Sequence, residues 1–235
     1  DLGYLPIEIK SLKEGVLCPI GVPLLTITNT HPDFAWLVNY LETLISCSLW
    51  QPITSATTAF EYRRLFERYA LETGANKDFI QWQGHDFSFR GMSGHQDAIT
   101  SGAGHLLSFT GTDTIPAIDY LEEYYFSKDE LIGASVPASE HSVVMMGGMR
   151  NELDTFYDLL KKYPKGVLSL VSDTWDYFQV LTEYAVTLKN EILSRNGKLV
   201  FRPDCYSEDT KILTQKGWKY FTEIDENTPV AQVLE

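Results

Sequence analysis

An α/β fold is predicted from three features of the sequence. Short apolar runs alternate with segments of helical periodicity from about residue 79 onward. This alternation is typical of parallel β-α units, which form either an α/β barrel or a doubly wound sheet. The chain has 235 residues, of which 44% are hydrophobic, and this is enough for a buried core. Its 12 Phe, 13 Tyr and 5 Trp exclude disorder as the main state.

The N-terminal third is predicted to contain one strand and two helices. Val22–Thr28 is rich in β-forming residues and reads as a strand. A helix is predicted over Phe34–Trp50, with Asp33 as its N-cap and Pro52 just beyond its end. A second helix is predicted over Thr57–Thr73, where apolar residues recur at helical spacing.

The rest of the chain is predicted to alternate between strands and helices until about residue 204. Strands are predicted over Leu106–Phe109, Val167–Ser172 and Lys198–Phe201, and helices over Pro116–Tyr125, Asn151–Tyr163 and Thr174–Asn190. Helical periodicity then stops, and two short segments, Thr210–Thr214 and Trp218–Phe221, are β-like. A different kind of structure is therefore expected from Cys205 onward.

Composition and charge exclude several classes of partner. With 19 Lys and Arg against 32 Asp and Glu, the net charge is −13, which argues against nucleic acid as a partner. The charge-free stretch Gly15–Pro32 contains three prolines, so we expect no membrane span. No export signal is visible, and three cysteines without metal or disulfide spacing indicate a reducing, cytoplasmic location. Cys18 and Cys47 have apolar neighbours and are expected to be buried.

Polar side chains follow the predicted strands at the edge where function collects in such folds. Asp113 follows Leu106–Phe109, Asp173 follows the strand that ends at Ser172, and Arg202 and Asp204 follow the last strand. An acid that bonds a histidine would orient and activate it, and a group of aspartates could hold Mg²⁺ beside a phosphate. By itself, however, a Gly-x-Asp segment is also a common turn.

Two further segments carry side chains suited to chemistry. His85-Asp-Phe-Ser-Phe-Arg-Gly91 combines aromatic rings for stacking on a planar ligand with an arginine for phosphate. A loop with a salt-bridged Arg90 is the alternative. The second segment, Ser135-Val-Pro-Ala-Ser-Glu-His-Ser142, places His141 near a helix start. In a functional interpretation, this histidine is a base or a nucleophile. In a structural interpretation, it packs in the core or caps the helix.

These segments, in this order, resemble the nicotinamide phosphoribosyltransferases, the type II phosphoribosyltransferases of NAD salvage. The resemblance covers residues 1–204 and is carried by Asp1–Lys10, Val22–Thr30, His85–Gly91, Gly111–Thr114, Ser135–Ser142, Ser172–Asp173 and Arg202–Asp204. It implies that residues 76–204 form part of an irregular, catalytic α/β barrel of the type II kind. Residues 1–75 would then belong to a flanking α+β domain.

The resemblance also implies an activity. The family makes nicotinamide mononucleotide and pyrophosphate from nicotinamide and phosphoribosyl pyrophosphate, and couples this to ATP hydrolysis through a phosphohistidine. It works with Mg²⁺, which the phosphate substrates bring, and without an organic cofactor. Its members are homodimers. The chain lacks counterparts of further family segments, so we expect it to be inactive alone.

The resemblance assigns roles to individual residues of this sequence. Phe87 would stack on the pyridine ring, and Arg90 would contact the phosphate of the mononucleotide. Asp113 would select the carboxamide over the carboxylate of nicotinate, which it would repel. Ser135 would also bind substrate. The remaining assignments are that ATP phosphorylates His141, that Asp173 is its partner, and that Arg202 and Asp204 contact the ring and the ribose.

From Cys205 onward the sequence departs from the family and resembles the opening of an intein, over residues 205–235. Cys205 would be the splicing nucleophile, attacking the Asp204 carbonyl in an N-to-S acyl shift. The alternative is a divergent tail in which Cys205 replaces a serine. For the whole chain, the alternatives are a nicotinate phosphoribosyltransferase, a precursor that acts only in splicing, or a non-catalytic relic that binds the base.

Overall fold

The structure, a computed structural model, describes residues 2–125, 130–204, 210–225 and 227–230. Cys205 and the start of the predicted intein segment lie outside the described residues. Internal contacts divide the chain into two compact units, residues 1–135 and 136–235. Both contain helices and strands, which is compatible with the predicted α/β class. The predicted domain boundaries after residues 75 and 204 stay predictions.

The first unit begins with a pair of antiparallel strands. Strand β1 (Ile7–Ser11) pairs with β2 (Leu25–Asn29), and Ile9 lies opposite Ile27. The strand predicted from Val22 is thus present, but it begins at Leu25. The prediction did not include β1, whose alternation of apolar and charged residues is only five residues long.

The two helices predicted before residue 75 are one helix, α1 (Ala35–Thr73), with Pro52 inside it. Proline lacks an amide donor and usually ends a helix, which is why the sequence rule predicted a break. Packing holds this helix together instead, because a neighbouring helix crosses it at Pro52. The predicted cap is also wrong: Asp33 lies in a short 3₁₀ turn, whose cap is His31.

A parallel strand pair and two helices follow in the first unit. Strand β3 (His85–Asp86) precedes α2 (His95–His105), and β4 (Gly111–Thr112), parallel to β3, precedes α3 (Ile115–Tyr124). Helix α2 is the neighbour that crosses α1. A Cβ atom on Gly104 would lie 2.5 Å from the Pro52 carbonyl oxygen, so only glycine allows this close approach. The Ser55 hydroxyl also donates to the Ser101 carbonyl, at 2.7 Å.

The strand predicted over Leu106–Phe109 is wrong. These residues continue from α2 as a turn, and the strand is β4, two residues later. The apolar run is explained by the packing of Phe109, which is buried and makes an edge contact with Phe66. A short apolar run cannot by periodicity alone be assigned to a strand rather than to a helix end. The predicted helix over Pro116–Tyr125 is present as α3.

The second unit is built on a second parallel strand pair. Helices α4 (His141–Gly147) and α5 (Glu152–Lys162) precede β5 (Leu168–Val171), which pairs with β6 (Leu199–Arg202). All four residues of β5 are buried, as expected for a parallel strand whose sequence is apolar apart from Ser169. The core of the unit consists of Val144, Phe156, Leu160, Leu168, Leu170, Val171, Val180 and Leu188.

The helix predicted over Thr174–Asn190 is present in pieces. Helix α6 (Tyr177–Gln179) runs into a π-helical turn (Val180–Tyr184), followed by α7 (Ala185–Thr187) and α8 (Lys189–Ser194). Asp176 caps the start, because its carboxylate accepts from the Gln179 amide at 3.0 Å.

The last described segment is an antiparallel hairpin. Strand β7 (Lys211–Thr214) pairs with β8 (Gly217–Tyr220) across a two-residue turn, so both β-like segments predicted here are present. Gly217 has a φ of 95°, a left-handed conformation that glycine adopts without strain. A hairpin of this kind does not test whether the segment belongs to an intein.

The cysteines and the apolar face of α1 are less buried than predicted. Cys18 is half-buried and Cys47 is exposed, so the prediction that both lie in a core is wrong. Trp36, Tyr40 and Leu44, which share the helical spacing of Cys47, are also exposed. Within the described ranges, no helix is both long enough and apolar enough to span a bilayer.

Candidate functional site

Asp113 is the centre of a polar cluster in the first unit. It directly follows β4, and its amide donates to the Asp86 carbonyl at 2.9 Å, which ties the ends of β3 and β4 together. Its Oδ1 atom accepts a short hydrogen bond from the Ser135 hydroxyl and lies 3.0 Å from Nε2 of His85. Among the described residues, none donates to Oδ2, and the side chain is 40% exposed. The cluster thus leaves one carboxylate oxygen without a hydrogen-bond donor from the described residues.

An aromatic platform lies beside this carboxylate. The ring of Phe87 stacks on the ring of His85, with 4.3 Å between centroids and 29° between planes. Phe87 is 53% exposed, so part of its ring is accessible to a ligand. Arg90 is exposed on the 3₁₀ turn Ser88–Gly91 that follows. A planar ligand on Phe87 would therefore have the acid near it and a guanidinium on the same turn.

A buried acid shapes this turn. Asp86 is 8% exposed, and its Oδ1 accepts from the Ser88 amide at 2.8 Å. Burial would raise the pKa of Asp86, but the hydrogen bonds from Ser88, together with smaller contributions from Thr114 and His105, outweigh burial and hold the pKa below its usual value. The ionised side chain thus fixes the backbone just after Phe87. Asp86 lies within the segment His85–Gly91, but nothing in its local sequence indicates this role.

His105 supports the cluster from α2. Its Nε2 lies 2.9 Å from the Gly111 carbonyl, and its ring stacks on Phe109. Burial lowers the pKa of His105, so the neutral ring is favoured and donates to β4. This residue was not singled out from the sequence, because a lone histidine on a helix carries no signal of its partner.

A second cluster, in the second unit, surrounds His141. This histidine is the first residue of α4, as the sequence predicts. Its Nε2 lies 3.0 Å from Oδ1 of Asp173, which follows β5, and its Nδ1 lies 3.7 Å from Oδ2 of Asp204, which follows β6. The carboxyl ends of two neighbouring parallel strands therefore place two acids around one imidazole.

Arg202 joins this cluster to the neighbouring backbone. Its Nη2 donates to the Ser139 carbonyl at 2.9 Å, and its Nε lies 3.4 Å from Oδ1 of Asp204. The Ser139 hydroxyl in turn accepts from the Val171 amide at 2.8 Å, at the end of β5. The segment before His141 is thus anchored to both strands, which orients the histidine.

The chemistry available to His141 follows from its neighbours. An ionised carboxylate only accepts hydrogen bonds, so the Nε2 atom facing Asp173 carries the proton. The Nδ1 atom then has a lone pair and is able to act as a base or as a nucleophile. Within the described parts of the chain, no three His, Cys, Asp or Glu side chains are arranged to hold a metal ion. The Mg²⁺ that the family resemblance implies therefore stays a prediction, although the carboxylates of Asp173 and Asp204 are the kind of oxygen ligand that it prefers.

The structure groups the residues selected from the sequence into two sets. It brings Asp113 together with Ser135, and His85 with Phe87. Separately, it brings His141 together with Asp173, Asp204 and Arg202. Their catalytic and binding roles stay predictions. Cys205, the predicted splicing nucleophile, lies outside the described residues.

One buried acid of the second unit was also missed from the sequence. Glu152 begins α5 and is 1% exposed, and its Oε1 has no hydrogen-bond partner among the described residues. Burial, with the nearby charge of Asp176, raises the pKa of Glu152 to about 7. The sequence shows an ordinary acidic residue in a first helical turn, which is usually exposed.

Comparison with known proteins identifies the family. The nicotinamide phosphoribosyltransferase of Acinetobacter baylyi is 54% identical over 211 residues, which cover 87% of this chain and 42% of that relative. Those of Mycoplasma pneumoniae and Xanthomonas campestris pv. campestris are 38% and 32% identical, over 90% and 86% of this chain and 45% and 43% of their own length. This chain therefore spans less than half the length of the curated relatives it matches. The profile of the nicotinate phosphoribosyltransferase (NAPRTase) family matches residues 82–230, more than half of the chain, and the chain belongs to that family.

Proposed function

We propose that this chain is part of an enzyme that joins nicotinamide to phosphoribosyl pyrophosphate, releasing pyrophosphate and nicotinamide mononucleotide. The names of the similar proteins support this proposal. The observation that carries it is the geometry of Asp113. One carboxylate oxygen is held by Ser135 and His85, and the other accepts no hydrogen bond from the described residues. An ionised oxygen beside an aromatic platform suits an uncharged carboxamide, whose NH₂ donates, and repels a carboxylate.

Positioning is the main contribution expected from such a site. The bond between C1 of the ribose and the pyrophosphate oxygen breaks while the pyridine nitrogen forms a bond to C1. Because C1 becomes cationic in this step, catalysis depends on orientation and on stabilising separated charge. Phe87 would hold the plane of the base, Asp113 would fix its rotation, and Arg90 would bind a phosphate.

Coupling to ATP is proposed for His141. The lone pair on Nδ1 would form a bond to the γ-phosphorus, and the bond from that phosphorus to the bridging oxygen would break, releasing ADP. Asp173 would keep the proton on Nε2 and stabilise the charge that develops on the ring. When bound, Mg²⁺ would neutralise phosphate charge. Arg202 and Asp204 are proposed to contact the ring and ribose, and Ser135 to bind substrate.

Three further proposals rest on the family to which the chain belongs: an α/β barrel, a homodimeric assembly and a cytoplasmic location. Two parallel strand pairs, β3–β4 and β5–β6, support the barrel, since parallel strands with helical crossovers are its repeating unit. We also propose that the chain needs further segments for turnover, given the share of its relatives that it spans.

Nicotinate is the alternative substrate, since the family profile carries its name. Saturation-transfer NMR of this chain with each base separates the two, because it detects binding as weak as millimolar. We expect a signal from nicotinamide and a weaker one from nicotinate, and we expect Asp113→Asn to remove this preference. Equal binding of both bases by the unchanged chain, or binding of neither, would overturn the proposal.

A splicing function at Cys205 is a second proposal, and it rests on the sequence alone. The hairpin β7–β8 agrees with the predicted strands of this segment. The family profile, however, continues to residue 230, as expected if the segment is a divergent tail with Cys205 in place of serine. The two possibilities differ in whether the peptide bond after Asp204 becomes a thioester.

A further inference from the structure

The space beside β4 is shaped around the ring of His85. In the parallel pair β3–β4, His85 lies opposite Gly111. A Cβ atom on Gly111 would lie 2.7 Å from Nδ1 of His85, closer than packed atoms allow, and 3.0 Å from the Gly84 carbonyl oxygen, which is a tight contact. The glycine therefore leaves room for this imidazole, which is held at the strand end, with 23% of its side chain exposed.

The ring of His85 contacts two residues of the candidate site at once. Its face stacks on Phe87, and its Nε2 lies 3.0 Å from Oδ1 of Asp113. Because an ionised carboxylate only accepts hydrogen bonds, Nε2 is the protonated nitrogen in this contact. The same ring thus sets the position of the aromatic platform and of the acid.

The contact with Asp113 has a consequence for its second oxygen. Two donors, His85 and Ser135, meet on Oδ1, and this fixes the plane of the carboxylate. Rotation of the carboxylate would break both hydrogen bonds. Oδ2 is thereby kept on the side that receives no donor from the described residues, and it is the oxygen able to accept from a carboxamide.

We propose that His85 is a positioning residue for selection of the base, acting through Asp113 and Phe87. This inference rests on the proposed function and names the side chain on which its specificity depends. Without the Nε2 donor, the carboxylate would rotate, and a carboxamide would lose a fixed acceptor. Without the ring, Phe87 would lose the surface against which it stacks.

Two variants separate these contributions. His85→Phe keeps an aromatic face for Phe87 and removes the donor, whereas His85→Gln keeps a donor near the position of Nε2 and removes the ring. His95→Phe is the matched control, since His95 begins α2 and its ring contacts Phe89 instead. Each variant is titrated with nicotinamide and with nicotinate. The preference is the dissociation constant for nicotinate divided by that for nicotinamide, and this ratio is compared with that of the unchanged chain.

We expect His85→Phe to lower this ratio at least about tenfold, as loss of a hydrogen bond to a charged group predicts. His85→Gln should keep most of the preference while binding both bases more weakly. His95→Phe should change neither the preference nor the affinity for either base. A preference retained in full by His85→Phe would overturn the inference and leave the proposed function intact. Binding of neither base by the unchanged chain would instead overturn the proposed function, and the inference with it.

A measurement without ligand tests the contact itself. The ¹⁵N shifts of the His85 imidazole report which nitrogen carries the proton, and the structure predicts Nε2. Asp113→Asn, which removes the charged acceptor, should shift these signals, while Asp97→Asn on α2 should not. A His85 ring protonated only on Nδ1 in the unchanged chain would overturn the inference whatever the binding data show.

Discussion

The amide of Asp204 donates to Oδ2 of Asp173 at 2.7 Å, while Oδ1 of Asp173 lies 3.0 Å from Nε2 of His141. One carboxylate therefore joins the end of β6 to the histidine at the start of α4. This arrangement couples the position of His141 to the pairing of the two strands. Removing the charge of Asp173 should affect both the imidazole and the backbone at Asp204.

The first prediction concerns this charge. In Asp173→Asn the side-chain amide no longer stabilises a positive imidazole, so phosphorylation of His141 by ATP should fall at least about a hundredfold. The measurement is incorporation of ³²P from γ-labelled ATP that is stable to alkali and lost in acid. If this chain needs the remaining segments for labelling, the matching part of the Acinetobacter baylyi relative is added in trans.

Two controls accompany this labelling experiment. His141→Ala should abolish the labelling, and Asp158→Asn, an exposed substitution on α5, should leave it unchanged. Labelling that persists in His141→Ala would contradict the assignment of the nucleophile. Full labelling of Asp173→Asn would contradict only the role proposed for this carboxylate, and the assignment of His141 as the nucleophile would stand.

The second prediction concerns the pH dependence of stability, through Glu152. Its pKa is about 7 in the folded protein, against an ordinary value of 4.5 that we take for the unfolded chain. Between these values the folded state binds the extra proton, so the free energy of unfolding decreases as the pH rises. The stabilisation is complete below about pH 4.5 and is lost as the pH rises through 7. The full change is on the order of 3 kcal/mol.

Glu152→Gln isolates this effect, because the amide is similar in size and does not titrate. Urea unfolding followed by circular dichroism at pH 5, 6, 7 and 8 should show a decrease in the unchanged protein that this variant lacks. Glu72→Gln, an exposed substitution near the end of α1, should retain the decrease. The same decrease in Glu152→Gln would assign it to another group.

The third prediction concerns the crossing of α1 and α2. Replacing an exposed helical glycine by alanine usually stabilises a helix by about 0.5–1 kcal/mol. At Gly104 the new methyl would lie 2.5 Å from the Pro52 carbonyl oxygen, and backbone cannot move aside cheaply. We therefore expect Gly104→Ala to lower the free energy of unfolding by about 1–3 kcal/mol.

Gly91→Ala is the control for this substitution, since its Cβ would meet no atom within 4 Å. Both variants are compared by urea unfolding with the unchanged protein. A stabilised Gly104→Ala would show that the helices do not approach as closely as the structure has them, and would also remove the explanation for the continuous helix through Pro52.

The fourth prediction concerns Cys205. If it attacks the Asp204 carbonyl, the resulting thioester is cleaved by dithiothreitol, and intact-mass measurement should detect a piece ending at Asp204. Cys205→Ala should release nothing, while Cys47→Ala, at an exposed cysteine, should behave like the unchanged chain. Equal release from Cys205→Ala would assign the cleavage to another bond. No release from any chain would contradict splicing activity in this chain by itself.

The elements predicted well are those whose sequence signal is local. The strand over Val167–Ser172 was recognisable because apolar residues in a fully buried parallel strand need no alternation. The helix over Asn151–Tyr163 has a clear apolar stripe and ends before Pro164. The errors at Pro52 and at Leu106–Phe109 arose where tertiary packing overrides a local rule.

The sequence by itself determined that a carboxylate follows β5 and that an arginine and a carboxylate stand at the end of β6. The strand before Asp113 was predicted at Leu106–Phe109, and only the structure showed that it is β4. The sequence also determined that His141 begins a helix, because these are properties of neighbouring residues. Only the tertiary structure decided which of these groups meet. His85 and Asp113 are 28 residues apart in the chain, and Asp173 and Asp204 are 31 apart. Strand pairing brings such groups within hydrogen-bond distance, and local periodicity carries no information about it. The burial of Glu152 has the same origin, since the residues that enclose a side chain come from other elements.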